Sequence, residues 1–236
     1  MPKDLSKVRA ILFDFDNTLV NFMEMKKRAI ESAIDKMIRA GLSLSKEKAL
    51  KKVRNLYKKR GIEYQKVFDE LLEESMGKVE PKILAAGVVA YRKTKDKYLK
   101  PYPNVVKTLE ILRKKFTLAI ISDAPIFQVW TRLYDTNLHN YFNFVIAYET
   151  TRTKKPGELP FRLAMKKLGL KPHELLMVGD DPRRDIAGAR RLGIPTVLAE
   201  YGCIFDVDPT KLEQKPDFKI KDIIELLDLL GINSEK

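Results

Sequence analysis

The sequence predicts an α/β fold built on a parallel sheet, with an all-α segment inserted after the first strand. From Pro103 onward, short apolar runs alternate with helical patterns, an order that is typical of βαβ units. Between residues 20 and 100, apolar residues recur at spacings of three and four, and no strand pattern occurs. The strand that precedes this insert therefore belongs with the α/β part that follows it.

The charge of the chain is concentrated in the insert. The whole chain of 236 residues has a formal net charge of +13, and residues 21–100 contribute 21 Lys/Arg against 11 Asp/Glu. A basic chain invites a nucleic-acid interpretation, but no nucleic-acid-binding motif accompanies the charge. The lysine- and glutamate-rich, glutamine-poor composition is typical of thermophile surfaces. We therefore expect no nucleic-acid partner.

Several features favour a cytoplasmic protein without a membrane segment. No apolar run approaches the roughly 18 residues that a membrane-spanning helix needs. The N-terminal residues 1–4 are too polar for a signal peptide. The single cysteine, Cys203, excludes an internal disulfide framework and suits a reducing compartment.

Two aspartates follow the first predicted strand. The apolar run Val8–Phe13 predicts a buried strand, which ends at Asp14, and Asp16 comes two positions later. Residues i and i+2 of an extended chain point to the same side, so these two acids would share a small volume. Such a pair requires a nearby cation or a retained proton. Taken alone, the pattern favours a turn with two solvated aspartates, and it is the rest of the chain that reverses this preference.

The insert predicts four amphipathic helices. The first carries apolar residues from Phe22 to Ile38 and ends at Gly41, and Ser45 is an N-cap candidate for the second. The others follow from apolar spacing and from glycine or proline at their ends. Their predicted ranges are 46–60, 64–76 and 82–99.

The remaining chain alternates between helices and strands. Predicted strands lie at 118–121, 144–146, 175–178, 196–198 and 218–220. Predicted helices lie at 104–115, 126–138, 159–168, 183–192 and 222–230. A polar loop is expected at 149–157, and residues 202–216 have the weakest pattern.

Polar residues follow several of these strands. They are Asp14 and Asp16, Ser122, Lys155, and Asp180 with Asp185. Parallel strands bring their carboxyl ends to one edge of a sheet, where open α/β sheets bind ligands. Clustered carboxylates suit a hard divalent ion such as Mg²⁺. A hydroxyl, a lysine and backbone amides at the same edge would hold a phosphate.

These motifs together resemble the haloacid dehalogenase (HAD) superfamily. The resemblance is carried by Asp-Phe-Asp-Asn-Thr, Ile-Ser-Asp, Lys-Lys-Pro and Gly-Asp-Asp followed by Asp185, and it extends from about Val8 to Leu230. The position of the insert resembles the phosphatase branch with a helical cap. The segments 85–88 and 177–180 are similar to an archaeal subfamily known as glyceraldehyde-3-phosphate phosphatase.

The resemblance implies a role for each early motif residue. Asp14 would be the nucleophile and a Mg²⁺ ligand. Asp16 would offer its backbone carbonyl to the metal. Its side chain would act first as a general acid and then as a general base, because hydrolysis of a phosphate ester needs a proton for the leaving group and then removal of a proton from water. Ser122 would hydrogen-bond the phosphoryl group, and Asp123, where many relatives have Asn, would lie in the phosphate site.

The later motifs complete the implied site. Lys155 would neutralise the phosphoryl charge and orient Asp14, although the adjacent Lys154 leaves the register open by one residue. Asp180 would bind Mg²⁺ directly, and Asp185 would act on the metal site through a metal-bound water or through Lys155. The neighbouring Asp181 is expected to be solvated.

The implied protein has two domains, a Rossmann-like core (1–20 and 100–236) and a helical cap (21–99). Its expected reaction is Mg²⁺-dependent hydrolysis of a small phosphorylated metabolite through an aspartyl-phosphate, with glyceraldehyde 3-phosphate or phosphoglycolate as leading substrates. Two alternatives stay open at this point. One is a sugar phosphomutase with the same acid pair, and the other is a basic binding protein with a vestigial site. The oligomeric state is not addressed by the sequence.

Overall fold

A computed structural model describes residues 3–206, 208 and 210–232 of the chain. The first two residues of the polar N-terminal stretch, and part of the weakly patterned stretch 202–216, lie outside this range. The structure divides into two compact units, one formed by Met1–Asn21 with Lys100–Lys236 and the other by Phe22–Leu99.

The first unit is built on a six-stranded, entirely parallel sheet with the order β3-β2-β1-β4-β5-β6. This confirms the predicted α/β fold. The strands are β1 (Ala10–Phe13), β2 (Thr117–Ile121), β3 (Phe144–Ile146), β4 (Leu175–Gly179), β5 (Thr196–Ala199) and β6 (Phe218–Ile220).

The helices of the two units are numbered in chain order. The second unit contains α1 (Phe22–Ala40), α2 (Lys46–Arg60), α3 (Val67–Met76) and α4 (Pro81–Tyr98). The first unit contains α5 (Val105–Leu112), α6 (Ile126–Asp135), α7 (Tyr148–Thr151), α8 (Leu159–Leu168), α9 (Ala187–Arg191) and α10 (Glu225–Leu229). Short 3₁₀ turns lie at Pro172–Glu174 and Leu212–Gln214, and a π turn lies at Pro182–Ile186.

Strand β1 lies at the centre of the sheet and is fully buried. Its residues pair with β2 on one side and β4 on the other, so that Phe13 lies between Ile120 and Val178. One face of the sheet packs against Phe161 of α8 and Ala189 of α9. A strand covered on both faces has no solvent-facing side, which explains its continuous apolar run.

The helical unit has a core of its own. Buried side chains from α1 to α4 form one cluster, and Ser45 caps α2 by accepting a hydrogen bond from the Lys48 amide at 3.3 Å, as predicted. Helix α4 approaches α1 closely at Gly87, where an added Cβ would lie 2.6 Å from the Met37 sulfur. The apolar periodicity of this segment therefore buries a core within the segment itself.

The structure differs from the predicted elements mainly at helix ends. Helix α3 begins at Val67, three residues after the predicted start, because residues 61–66 form turns. Helices α5, α6 and α10 are shorter than predicted, and the expected loop at 149–157 begins with the four-residue helix α7. The helix predicted at 183–192 is a π turn followed by the five residues of α9.

Candidate active site

The ends of the three central strands bring the predicted residues together. The Asp14 amide still donates to the Val178 carbonyl at 2.9 Å, which continues the pairing of β1 with β4. Asp180 follows β4 directly, and Ser122 follows β2. Because all three strands are parallel, their carboxyl ends lie at the same edge of the sheet.

Lys155 lies at the centre of this edge. Its buried ammonium group contacts Asp14 Oδ1 at 2.5 Å and Asp185 Oδ1 at 2.6 Å, and it donates to the Ile121 carbonyl at 2.8 Å. Burial by itself lowers the pKa of Lys155, but the charges of Asp14 and Asp185 outweigh it and hold this pKa above its usual value. The adjacent Lys154 is exposed, so Lys155 is the lysine of this pair that reaches the carboxylates.

Three buried carboxylates share a small volume here. Asp14, Asp180 and Asp185 each place an oxygen within 4.8 Å of the others. Burial, together with the charges of Asp14 and Asp185, raises the pKa of Asp180 to about 9. Burial also raises the pKa of Asp14 to about 7, although the ammonium group of Lys155 opposes this. The cluster therefore resists carrying all of its negative charge unless a further cation is present.

The donor set fits a hard divalent cation. All three groups offer carboxylate oxygens, and Lys155 contributes one positive charge against three negative ones. Oxygen donors with excess negative charge are what Mg²⁺ requires. Asp185 has its Oδ1 on Lys155, and its Oδ2 accepts from the Asp181 amide at 3.0 Å. Asp14 and Asp180 are therefore better placed to bind a metal directly than Asp185 is.

Asp16 has a partner that the sequence did not suggest. Its Oδ2 lies 2.5 Å from Arg132 Nη1, and the Arg132 side chain is buried. Arg132 lies on the buried face of α6 together with Val129 and Leu133. Arg132 occupies a position of the apolar pattern in the helix that follows Ser122. A basic residue at such a position was the sequence signal that could have identified Arg132 as a site residue.

Ser122 and Asp123 occupy the turn after β2. Ser122 is buried, and its hydroxyl oxygen accepts from the Ala124 amide at 3.2 Å. Asp123 Oδ1 accepts from the Lys155 amide at 2.8 Å, and its Oδ2 accepts from Arg184 Nη1 at 3.1 Å. The extra negative charge of an aspartate at position 123 is thus met by protein donors.

The expectation that Asp181 is solvated was wrong. This residue is fully buried, and its carboxylate accepts from side-chain nitrogens of Arg183 and Arg184. Burial raises its pKa, but the two arginines outweigh burial and hold it below the usual value. A turn that places two arginines two and three residues after an aspartate can satisfy a buried charge, which the sequence pattern alone did not reveal.

Thr18 is a further residue whose contacts the sequence did not reveal. It is fully buried, and its hydroxyl donates to Asp180 Oδ1 at 3.2 Å. Its carbonyl accepts from the Tyr201 hydroxyl at 2.7 Å. Nearby, an added Cβ at Gly202 would lie 1.7 Å from the Asn17 carbonyl oxygen, so only glycine permits this approach. The turn that follows Asp16 is therefore held against the segment that follows β5.

This fold and carboxylate cluster belong to a known family of hydrolases. Residues 11–199 match the family model of the haloacid dehalogenase-like hydrolases. The chain belongs to this family, as the motif resemblance predicted.

The relatives define the branch. The chain is 38% identical over 226 residues to the glyceraldehyde 3-phosphate phosphatase of Methanopyrus kandleri, covering 94% of this chain and 97% of the relative. It is 34% identical over 224 residues to the protein of the same name from Methanocaldococcus jannaschii, with coverages of 94% and 97%. The protein is thus a phosphatase of the haloacid dehalogenase-like family.

A solved structure supports the fold. A crystal structure described as a putative β-phosphoglucomutase from Thermotoga maritima superposes with a TM-score of 0.71 at 18% identity, covering 95% of this chain and 99% of that one. At this identity the likeness supports the architecture alone. Separately, none of the helices that the structure describes has the length and apolarity needed to cross a membrane.

Proposed function

We propose that this protein hydrolyses a small phosphate monoester, with glyceraldehyde 3-phosphate as the leading substrate, in a Mg²⁺-dependent reaction that passes through a phosphorylated Asp14. The observation that supports this most directly is the buried group of Asp14, Asp180 and Asp185 with Lys155 in contact with two of them. The names of the archaeal relatives favour a triose phosphate. Phosphoglycolate is the second candidate substrate.

In the first step, an oxygen of the Asp14 carboxylate attacks phosphorus. The bond between phosphorus and the ester oxygen breaks, and its electron pair leaves on the alkoxide. Asp16 gives this alkoxide a proton, which produces the free alcohol and an aspartyl-phosphate. Arg132 fixes the direction of the Asp16 carboxylate through their 2.5 Å contact.

In the second step, a water molecule attacks the phosphorus of the aspartyl-phosphate. Asp16, now a carboxylate, accepts a proton from this water, and Asp14 departs as a carboxylate with release of inorganic phosphate. Lys155 stabilises the negative charge that develops on the phosphoryl oxygens in both steps, and the Ser122 hydroxyl hydrogen-bonds one of them.

Asp14, Asp180 and the backbone carbonyl of Asp16 would hold Mg²⁺, with Asp185 supporting the site through Lys155. When bound, the ion would balance the charge of the carboxylates and of the phosphoryl group. Thr18 would hold the carboxylate of Asp180 in place through its hydroxyl. The helical unit would act as a cap that limits the access of water and of large esters.

The proposal is tested by measuring inorganic phosphate release from a panel of phosphorylated metabolites, with Mg²⁺ and with a chelator. We expect Mg²⁺-dependent release, with Asp14→Asn reducing kcat by more than about 10³-fold because an amide cannot act as the nucleophile. Asp228→Asn is the matched control, since Asp228 is an exposed aspartate of α10.

Other outcomes would contradict the proposal. Asp14→Asn with more than about a tenth of the wild-type kcat would exclude the covalent mechanism. A phosphoryl group transferred within a sugar, without release of phosphate, would instead indicate a phosphomutase. Binding of unrelated RNA or DNA at physiological salt, without any turnover, would favour a basic binding protein.

A further inference from the structure

Asp123 has both carboxylate oxygens engaged by the protein. Oδ1 accepts from the backbone amide of Lys155 at 2.8 Å, and Oδ2 accepts from Arg184 Nη1 at 3.1 Å. An ionised carboxylate is an acceptor only, so it has no hydrogen to offer to a phosphate oxygen. The contacts of Asp123 therefore point away from phosphate binding and toward the loop that carries Lys155.

Arg184 connects this carboxylate to a second one. Its Nη1 donates to Asp123, and its Nε donates to Asp181 Oδ2 at 2.7 Å. Asp181 is fully buried, whereas 41% of the Arg184 side-chain surface is exposed. A guanidinium group presents its donors in a rigid plane, so one arginine can fix two carboxylates relative to each other.

The resulting chain of contacts ties together three segments of the site. It begins at the turn after β4 with Asp181, passes through Arg184 to Asp123 after β2, and ends at the Lys155 amide. These are the segments that carry Asp180, Ser122 and Lys155. Each contact is between charged groups or is assisted by a charge, which makes the chain stronger than a set of neutral hydrogen bonds.

We propose that Asp123 and Arg184 are positioning residues that fix the backbone of Lys155, so that its ammonium group stays in contact with Asp14. The proposal rests on the proposed function, since it assigns Lys155 the task of stabilising the transferred phosphoryl group. In this role neither residue contacts the substrate. Loss of the contact would move Lys155 relative to Asp14 and lower kcat more than it changes KM, because Lys155 acts on the charge of the transition state.

Substitutions at position 123 separate positioning from phosphate binding. We expect Asp123→Ala to lower kcat by roughly 10- to 100-fold with little change in KM, the range typical when support behind a catalytic group is lost. Asp123→Asn should recover only part of kcat, because its amide oxygen still accepts from the Lys155 amide, whereas its NH2 group cannot accept from Arg184. A rise in KM at unchanged kcat for Asp123→Ala would instead show a phosphate ligand and overturn the proposal.

The two adjacent arginines supply a matched pair of variants. Both contact Asp181, but only Arg184 contacts Asp123. Arg184→Met should therefore lower kcat and Arg183→Met should not. Equal effects of the two variants would show that charge or the support of Asp181 matters, and would overturn the role of Arg184.

A double-variant cycle and a structure complete the test. If Asp123 acts through Lys155, then Asp123→Ala should add little to the loss caused by Lys155→Met, whereas independent roles would make the losses multiply. A crystal structure of Asp123→Ala should show the Lys155 ammonium group displaced from Asp14. An unmoved Lys155 would overturn the proposal whether or not the wild-type protein hydrolyses a phosphate ester, so the two proposals can fail separately.

Discussion

At the scale of single residues, burial of the carboxylate cluster lowers the free energy of unfolding by an amount that depends on pH. Asp14 and Asp180 have pKa values raised by burial to about 7 and about 9. A group whose pKa is higher in the folded state binds its proton more tightly there. Its contribution to stability is present below the unfolded pKa and is lost as the pH rises through the folded pKa. The metal-free protein should therefore lose stability as the pH rises from about 4, the usual pKa of an aspartate, to about 9.

This leads to a prediction about Mg²⁺ that does not depend on enzymatic activity. In metal-free protein we expect Tm to fall as the pH is raised from 6 to 9, by about 2–4 °C for each kcal/mol lost in a chain of this size. Added Mg²⁺ should raise Tm, and the increase should grow with pH because the metal competes with protons for the same oxygens. Thermal unfolding with and without Mg²⁺ at several pH values measures both effects.

A variant at position 180 provides the control. Asp180→Asn removes one of the charges, so the metal-free variant should show a smaller decrease of Tm with pH and a smaller increase with Mg²⁺. An increase in Tm with Mg²⁺ that is independent of pH, and is unchanged in this variant, would show that the metal binds elsewhere.

At the scale of structural elements, the end of β4 is shaped around Asp185. An added Cβ at Gly179 would lie 2.5 Å from Cβ, Cγ and Oδ2 of Asp185. The Asp185 side chain is fully buried, and both of its oxygens are engaged, so it has little freedom to move. The π turn Pro182–Ile186 brings this aspartate back over the strand end. Turns of this kind are frequent at functional sites.

We expect Gly179→Ala to displace Asp185 and thereby Lys155. The substitution should cost about 1–3 kcal/mol of unfolding free energy, as overpacking typically does, and should lower kcat at saturating Mg²⁺. Gly87→Ala is the matched control, since its Cβ would meet the flexible Met37 side chain in the helical unit. Denaturant unfolding and steady-state kinetics of both variants test this prediction. Equal kcat values for Gly179→Ala and wild type would show that the strand end tolerates the added methyl group.

The same elements show how far the sequence could predict this structure. Strands β1, β2 and β4 were predictable because their residues are buried on both faces and form continuous apolar runs. The amphipathic helices were predictable from their period. The π turn at 182–186 was not, because it depends on the Asp181 carbonyl accepting from the amides of Arg184, Asp185 and Ile186. No residue pattern distinguishes that arrangement from an ordinary first helical turn.

The residues of the candidate site also divide into those that the sequence could predict and those that it could not. Asp14, Lys155, Asp180 and Asp185 follow predicted strands or occur in recognisable motifs, and the structure places their charged groups close together. The partners Arg132, Arg184 and Thr18 lie far along the chain from the carboxylates that they support, or in a turn whose geometry was not predictable. Pairing between distant side chains depends on tertiary packing, so a single sequence gives little information about it.

At the scale of the whole molecule, two neighbouring segments of the first unit lead into and out of the helical unit. The Tyr102 amide donates to the Leu19 carbonyl at 3.0 Å, and the Asn21 amide donates to the Lys100 carbonyl at 3.3 Å. Between these two hydrogen bonds, Val20 and Pro101 form an isolated antiparallel bridge. The chain thus leaves the first unit and returns to it at neighbouring positions, and each unit has its own core.

We expect the first unit to fold when Phe22–Leu99 is replaced by a short Gly/Ser linker between Asn21 and Lys100. The shortened protein should unfold cooperatively and keep its stabilisation by Mg²⁺, because its strands and carboxylates come from the first unit. It should still hydrolyse an activated ester such as p-nitrophenyl phosphate, while its preference for one natural ester over another falls. Circular dichroism and a substrate panel measure these outcomes. A shortened protein that does not fold, or one that keeps the full substrate preference, would contradict this division of roles.

The central position of β1 has a consequence for how the chain folds during synthesis. Ala10 is made early, but its partners Thr117 and Leu175 are made much later, after the whole helical unit. The helical unit, whose contacts are more local, can fold first, whereas β1 waits for its neighbours. The strand that precedes Asp14 thus lacks both of its partner strands in every nascent chain that has not yet reached Thr117. Since the carboxylate cluster also needs Asp185, a divalent cation bound there would stabilise only chains whose synthesis has passed that residue.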